Sequence, residues 1–316
     1  MTFDLSLTGD QEAIVASVRS VLEAPVDWRR CADLGWFGLG LPESAGGVGY
    51  GVVEEVLLQR ELGRALVSGP FITSVLAARV AWRAGEVEVT DALTTGRQRA
   101  GIVLGSLLID VGDGDAVLTV DPDGAALYDA PAFVDRTNVV PIDGGSSVRR
   151  TRRAGGPRVT VVGREHWLRL LVLCAAQLTG LAERARDLAV DHAINRRQFG
   201  KPIGVNQAVK HPCVEMAVRA ELAFAQLLVS ARALDNDATD AHVEAASSAA
   251  VAIDAALENG RAAIQVHGGI GFTTEHPVHQ VVERAHLLER MLGGRAAVLD
   301  VLVERVTGGQ VQSVEH

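Results

Sequence analysis

The stretch "RRQFGKPIGVNQ", Arg196 to Gln207, packs two arginines, a phenylalanine, two glycines and a proline into a place where a helical pattern stops. It follows "LAVDHAIN", so Arg196 falls at a helix terminus, and Gly200 and Pro202 turn the chain. The planar fork of a guanidinium donates two hydrogen bonds to one anion, and glycine lets a ligand approach the backbone closely. The turn reads as a grip for a phosphate or pyrophosphate. A plainer reading stands beside it, in which an arginine at a helix C-terminus only answers the helix dipole.

A second stretch, "QVHGGIGFTTEHPVH" from Gln265 to His279, shifts the balance toward a ligand. It ends an alanine-rich helix in Gly268, Gly269 and Gly271, more glycine than a helix cap requires. Gln265, one turn earlier, offers both a donor and an acceptor. His267, His276 and His279 lack HExxH-type spacing, and Glu275 completes no ligand set, so no metal is expected.

The rest of the chain bounds what this ligand can be. With 316 residues, 48% of them hydrophobic, it can bury a substantial core in more than one domain. A formal net charge of -9 opposes nonspecific attraction to nucleic acid or anionic lipid. Cys31, Cys174 and Cys213 are widely spaced and form no CxxC pair, which points to a reducing compartment, and no long apolar run marks a leader or a membrane span. The expected location is the cytoplasm.

Three textures follow one another. Residues 1–97 read as helical, with apolar spacing at Ile14, Val15, Val18 and Val21, then a glycine-rich structured loop "DLGWFGLGLPESAGGVGYG", then helices around Leu57, Leu58, Leu62 and Leu66 and in "FITSVLAARVAWRAG", which closes near residue 86. Residues 98–163 carry short apolar runs between Gly, Asp and Pro, which predict a small sheet of four to six strands. From 164 to 316 the pattern predicts four long helices, at 165–196, 208–234, 239–267 and 277–306, in an up-down bundle with a frayed tail "GGQVQSVEH". The fold class is mainly α with a small β insert. The charge run "RRTRRAGGPR", with Arg149, Arg150, Arg152, Arg153 and Arg158, reads as a solvated loop at the sheet edge or as a site for a phosphorylated handle.

Together, "DLGWFGLGLPESAGGVGYG", "LQRELGRAL", "RRQFGKPIGVNQAVKHPCVEM" and "QVHGGIGFTTEHP" resemble the acyl-CoA dehydrogenase family over most of the chain. The resemblance implies a flavoprotein that oxidises an acyl-CoA thioester to its 2,3-enoyl form. It assigns the adenosine diphosphate half of an FAD to Arg196, Gln198, Phe199, Ile203 and Gln207 in the first motif and to Gln265, Gly268 and Gly269 in the second, with the flavin ring on the neighbouring subunit.

Departures from the family pattern point the same way. The middle region is roughly halved, and neither the Glu-Pro/Gly-Ser stretch nor the Trp-Ile-Thr/Ser stretch that hold the flavin ring occurs between 87 and 163. Removing a weakly acidic proton α to a thioester requires a base held in reach. Aligned on "AHLLERMLGG", the family's glutamate position is Leu292; the family's alternative base position falls at Leu170 or Leu171. Glu289, one turn before Leu292, is the substitute within reach, set against a role as surface partner of Arg290 or Arg295. The resemblance is closest to the truncated, non-catalytic subunit of actinobacterial α2β2 dehydrogenases of steroid catabolism. It implies a full-length dehydrogenase partner that supplies the glutamate and the ring site, and a bulky acyl-CoA. The alternatives are a homo-oligomer using Glu289, or a flavin-free assembly protein.

Overall fold

The structure, a computed structural model, describes residues 5–273 and 276–307. Helix α1 (Gly9–Leu22) starts at Thr8, whose hydroxyl accepts from the Gln11 amide at 3.3 Å while Gln11 Oε1 accepts from the Thr8 amide at 3.1 Å. This reciprocal cap fixes the chain entry. A short α2 (Trp28–Asp33) leads into the glycine-rich loop, which buries Trp36, Phe37, Leu39 and Leu41. α3 (Val52–Arg64), α4 (Phe71–Arg83) and α5 (Val87–Thr94) follow. α5 extends the helical region beyond residue 86: Val89 and Leu93, four apart, are buried, a short stripe that the β-branched and acidic residues of "VEVTDALT" conceal.

The middle region forms one seven-stranded sheet, not four to six strands. Its strands are β1 (Ala100–Leu104), β2 (Leu107–Ile109), β3 (Ala116–Asp121), β4 (Gly124–Asp129), β5 (Phe133–Val139), β6 (Val148–Arg153) and β7 (Val159–Val162), in the order β5-β6-β2-β1-β3-β4-β7. Only β1 and β3 run parallel. The run "AGIVLGSLLI" is two strands, because Gly105, at φ 60°, folds it back on itself. The arginine run is not an edge loop. Arg149 to Arg153 lie in β6, paired to β2 on one side and β5 on the other. Most of the run's side chains are engaged within the chain: Arg153 donates to the Tyr128 hydroxyl at 2.8 Å, Arg152 meets Asp135 at 3.1 Å, and beyond the strand Arg158 meets Glu86 at 2.9 Å, while Arg150 is exposed.

Five helices complete the described chain: α6 (Glu165–Asn195), α7 (Gln207–Asp235), α8 (Ala241–His267), α9 (Val278–Met291) and α10 (Arg295–Thr307). The single helix expected at 277–306 is two, since Gly293 and Gly294 take φ of 82° and 92° and end α9. The polar tail from 308 to 316 lies outside the described residues.

One core runs through all three regions. At the crossing of α3 and α6, a Cβ on Gly63 would lie 2.2 Å from the Gln177 carbonyl oxygen, and one on Gly180 would lie 2.0 Å from that of Arg60. The two backbones touch there, a distance only glycine allows. A buried polar chain ties the sheet to the bundle: Arg284 of α9 donates to Asp143 at 3.0 Å and to Gln177 of α6 at 3.3 Å, and Gln177 donates to Gln59 of α3 at 2.8 Å. None of the three cysteines is in a disulfide; burial pushes the Cys174 thiol up to about 12, where it stays protonated.

Candidate functional site

The C-terminal ends of α6 and α8 lie side by side, so both glycine-bearing turns face the same end of the bundle. The ring of His192, in the last turn of α6, sits 4.4 Å from that of His267 at the end of α8, and His267 sits 4.2 Å from His276. These imidazoles pack at a tilt, with interplanar angles of 35° and 49°. His267 Nδ1 contacts the Ala263 carbonyl oxygen at 2.7 Å, and His279 Nδ1 contacts that of His276 at 2.5 Å. Burial holds His192 and His276 below the usual imidazole range, and the neighbouring His267 adds to the effect.

After α6 the chain makes a two-residue hairpin: β8 (Arg197–Gln198) pairs with β9 (Lys201–Pro202), with Phe199 and Gly200 at the tip. Both tip residues have positive φ, 51° and 77°, the arrangement of a type I′ turn. Glycine adopts it freely, whereas phenylalanine is strained there, and its ring is fully exposed at 101%. Arg196, Gln198 and Gln207 are exposed, and their side chains have no hydrogen-bond or ion-pair partner among the described residues. Ile203 is half-buried; its amide donates to the Arg196 carbonyl at 2.9 Å, closing the base of the hairpin.

The second turn divides its glycines by role. A Cβ on Gly271 would lie 2.8 Å from the Ile264 carbonyl oxygen, so this glycine serves packing. Gly268 takes φ 64° and ψ −139°, a conformation essentially confined to glycine, and a Cβ on Gly268, Gly269 or Gly200 would meet no described atom within 4 Å. Gln265 is exposed beside them. Open backbone, an unpaired guanidinium and free amide side chains at one end of the bundle fit a pyrophosphate with an attached sugar.

Leu292 caps the C-terminal end of α9. It is buried, 4% exposed, in the wall of a cleft of about 750 Å³ between the β1–β2 and β3–β4 turns and the α9–α10 junction. Val103, Leu104, Trp167 and Met291 share that wall. Glu289 is not among its lining residues: its carboxylate contacts His286 Nδ1 at 3.2 Å and accepts from the Arg295 backbone amide at 3.3 Å. The guanidinium of Arg295 goes instead to Asp254, at 2.7 Å. Leu170 and Leu171 lie in the core, 1% and 0% exposed.

Sequence reasoning missed three things here: the hairpin with its strained Phe199, the packed row of imidazoles, and the part of Trp167 and Met291 in the cleft wall. The adjacent Phe-Gly between Arg197-Gln198 and Lys201-Pro202 was a hairpin signal of the Asn-Gly kind, masked by the phenylalanine. The packing of His192 against His267 carried no local signal, since the two are far apart in sequence.

Models of the acyl-CoA dehydrogenase N-terminal and C-terminal domains match residues 9–94 and 166–307. Acyl-CoA dehydrogenase IpdE2 of Mycolicibacterium smegmatis is 31% identical over 89% of this chain and 88% of its own length. The chain belongs to the acyl-CoA dehydrogenase family, whose cofactor is FAD. Acyl-CoA dehydrogenase FadE34 of Mycobacterium tuberculosis is 37% identical over 83% of this chain, which spans 39% of that protein's length. Among solved structures, the ChsE4-ChsE5 complex from Mycobacterium tuberculosis aligns with a TM-score of 0.82 at 23% identity, over 98% of this chain and 100% of that one. The steroid ACAD Tcur3481-Tcur3483 aligns with a TM-score of 0.77 at 22% identity, over 96% of this chain and 98% of that one. No described helix is long and apolar enough to cross a membrane.

Proposed function

We propose that this chain is the non-catalytic subunit of a heteromeric, cytoplasmic, FAD-dependent acyl-CoA dehydrogenase, paired with a full-length dehydrogenase chain as a heterodimer or an α2β2 heterotetramer. The observation that carries the reading is the pairing of a leucine at the base position with an intact, unoccupied-by-self grip at the far end of the fold. Leu292 puts an apolar side chain in the cleft wall at the base position, Glu289 is engaged with His286 and the start of α10, and the carboxylates that do line the cleft, Asp121, Asp123 and Asp300, are solvent-exposed. Arg196, Gln198, Phe199, Ile203 and Gln207, with Gln265, Gly268 and Gly269, hold the adenosine diphosphate part of FAD against the open turns. When bound, FAD supplies the hydride acceptor. The partner supplies the glutamate that takes the α-proton and the contacts around the flavin ring.

The surface of α7 supports a partner. Val214, Val218 and Leu222, spaced four apart, are each more than half exposed, 56%, 53% and 60%. They form one apolar stripe beside the hairpin, the spacing of a helix that buries a face in assembly. Relatives whose names include a two-component complex and a steroid ACAD support a bulky, steroid-derived acyl-CoA as substrate. Expression alone and together with a full-length dehydrogenase tests the reading: the pair dehydrogenates acyl-CoA with an artificial electron acceptor, and this chain alone does not. Comparable turnover by the chain alone rejects it.

A further inference from the structure

We infer that a small oxyanion, of the hydrogen phosphate class, binds between α4, α6 and the α7–α8 turn, with Arg79 and Arg169 as its cationic ligands. A cleft of about 280 Å³ lies there, far in sequence from both the flavin grip and Leu292, and both arginines line it. Three guanidiniums meet in this part of the molecule and two carboxylates answer them. Arg83 holds both oxygens of Glu165, at 3.0 and 2.7 Å. Arg169, 92% buried by the 8% exposure of its surface, is paired through one nitrogen with Glu55, itself 4% exposed. Arg79 is left with a neutral acceptor, the Gly40 carbonyl oxygen at 3.1 Å, and with the face of Trp82 at 5.9 Å.

A partly buried guanidinium answered only by a carbonyl is costly, and a second guanidinium beside it raises the cost. Burial first, then repulsion from Arg169, lowers Arg79 to about 10 against the opposing pull of Glu55 and Glu165. An oxyanion in the cleft answers both arginines at once, through N–H groups not used by Glu55 or Gly40. The cleft wall also carries Glu165, committed to Arg83, and the exposed Asp237, held at φ 48° on the α7–α8 turn. A carboxylate on the wall disfavours a fully ionised ligand and favours one that keeps a hydroxyl to donate, which hydrogen phosphate does.

Thermal melting of the full chain in inorganic phosphate, against sodium chloride at equal ionic strength, tests the site. A saturable rise in melting temperature of about 2 °C is expected with phosphate at roughly ten times its Kd, and none with chloride. Arg79→Gln removes the phosphate response while melting normally in chloride. A response to phosphate no larger than to chloride, or one retained by Arg79→Gln, overturns the proposal. Should Arg79→Gln fail to fold, Asp237→Asn at the exposed rim carries the test: it lowers the phosphate Kd severalfold, and an unchanged Kd overturns the site.

Discussion

The backbone amide of Leu292 donates to the carbonyl of Glu289 at 3.1 Å, so the apolar residue at the base position and the acid three residues before it are fixed to each other at the end of α9. Their side chains part there. Leu292 turns into the cleft wall and Glu289 turns to His286 and the Arg295 amide. If Glu289 takes no part in proton removal, Glu289→Gln leaves kcat of the reconstituted complex within about twofold, whereas loss of a general base costs about 100-fold or more. Steady-state turnover of the variant complex decides between them.

The Arg196 side chain has no partner among the described residues, so its removal reports on ligand rather than on fold. Arg196→Ala in the paired complex is expected to raise the FAD dissociation constant about 10- to 100-fold, the loss of a charge-assisted hydrogen bond. Its melting temperature in the absence of added flavin stays near that of the unaltered chain. Flavin fluorescence released on dilution measures the first effect, and unchanged retention removes Arg196 from the grip.

Asp143 and Arg284 are both buried, at 5% and 6% exposure, and join the sheet to the bundle across 3.0 Å. Arg284→Met leaves a carboxylate buried with only the Gly145 amide and the Ser146 hydroxyl for company, a loss of about 3–5 kcal/mol. Adding Asp143→Leu removes the orphaned charge, so the double variant is more stable than the sum of the single effects by about 2 kcal/mol or more. Urea unfolding of the four chains of the cycle checks the coupling.

His166 is fully buried, and that burial lowers it to about 4 against the opposing pull of Glu165. The unfolded chain takes up a proton near pH 6.5 and the folded chain does not until about 4, so the unfolded state binds more protons across this window. Stability therefore falls as the pH drops from about 6.5 toward 4, by up to about 1.4 kcal/mol per pH unit from this residue. His166→Phe reduces that slope. Urea midpoints at pH 7.5, 6 and 5 give the comparison, and equal slopes in both chains contradict it.

Much of the fold was legible because its signals are periodic. The stripe of Val15, Val18 and Val21, the buried tryptophan and leucines of the glycine-rich loop, and the long alanine-rich helices all state their burial in their spacing. The polar strands were not legible in the same way. β5 and β6 expose one face and are held by backbone pairing, so Arg149, Arg150, Arg152 and Arg153 looked like a loop. Helix α9 ended early because Gly293 and Gly294 adopt left-handed φ, a conformational fact that composition permits without requiring. At the candidate site, Leu292 could be placed by motif alignment. That Glu289 is spoken for depends on His286 and on the start of α10, which only the folded chain brings to it.

Native mass and flavin content of the purified assembly test the central claim most directly. Expressed with a full-length dehydrogenase, this chain is expected in a complex of both chain types, with one FAD for each pair of unlike chains, and expressed alone it is expected colourless. A yellow homo-oligomer of this chain, carrying one FAD per protomer and active on acyl-CoA, would contradict the account.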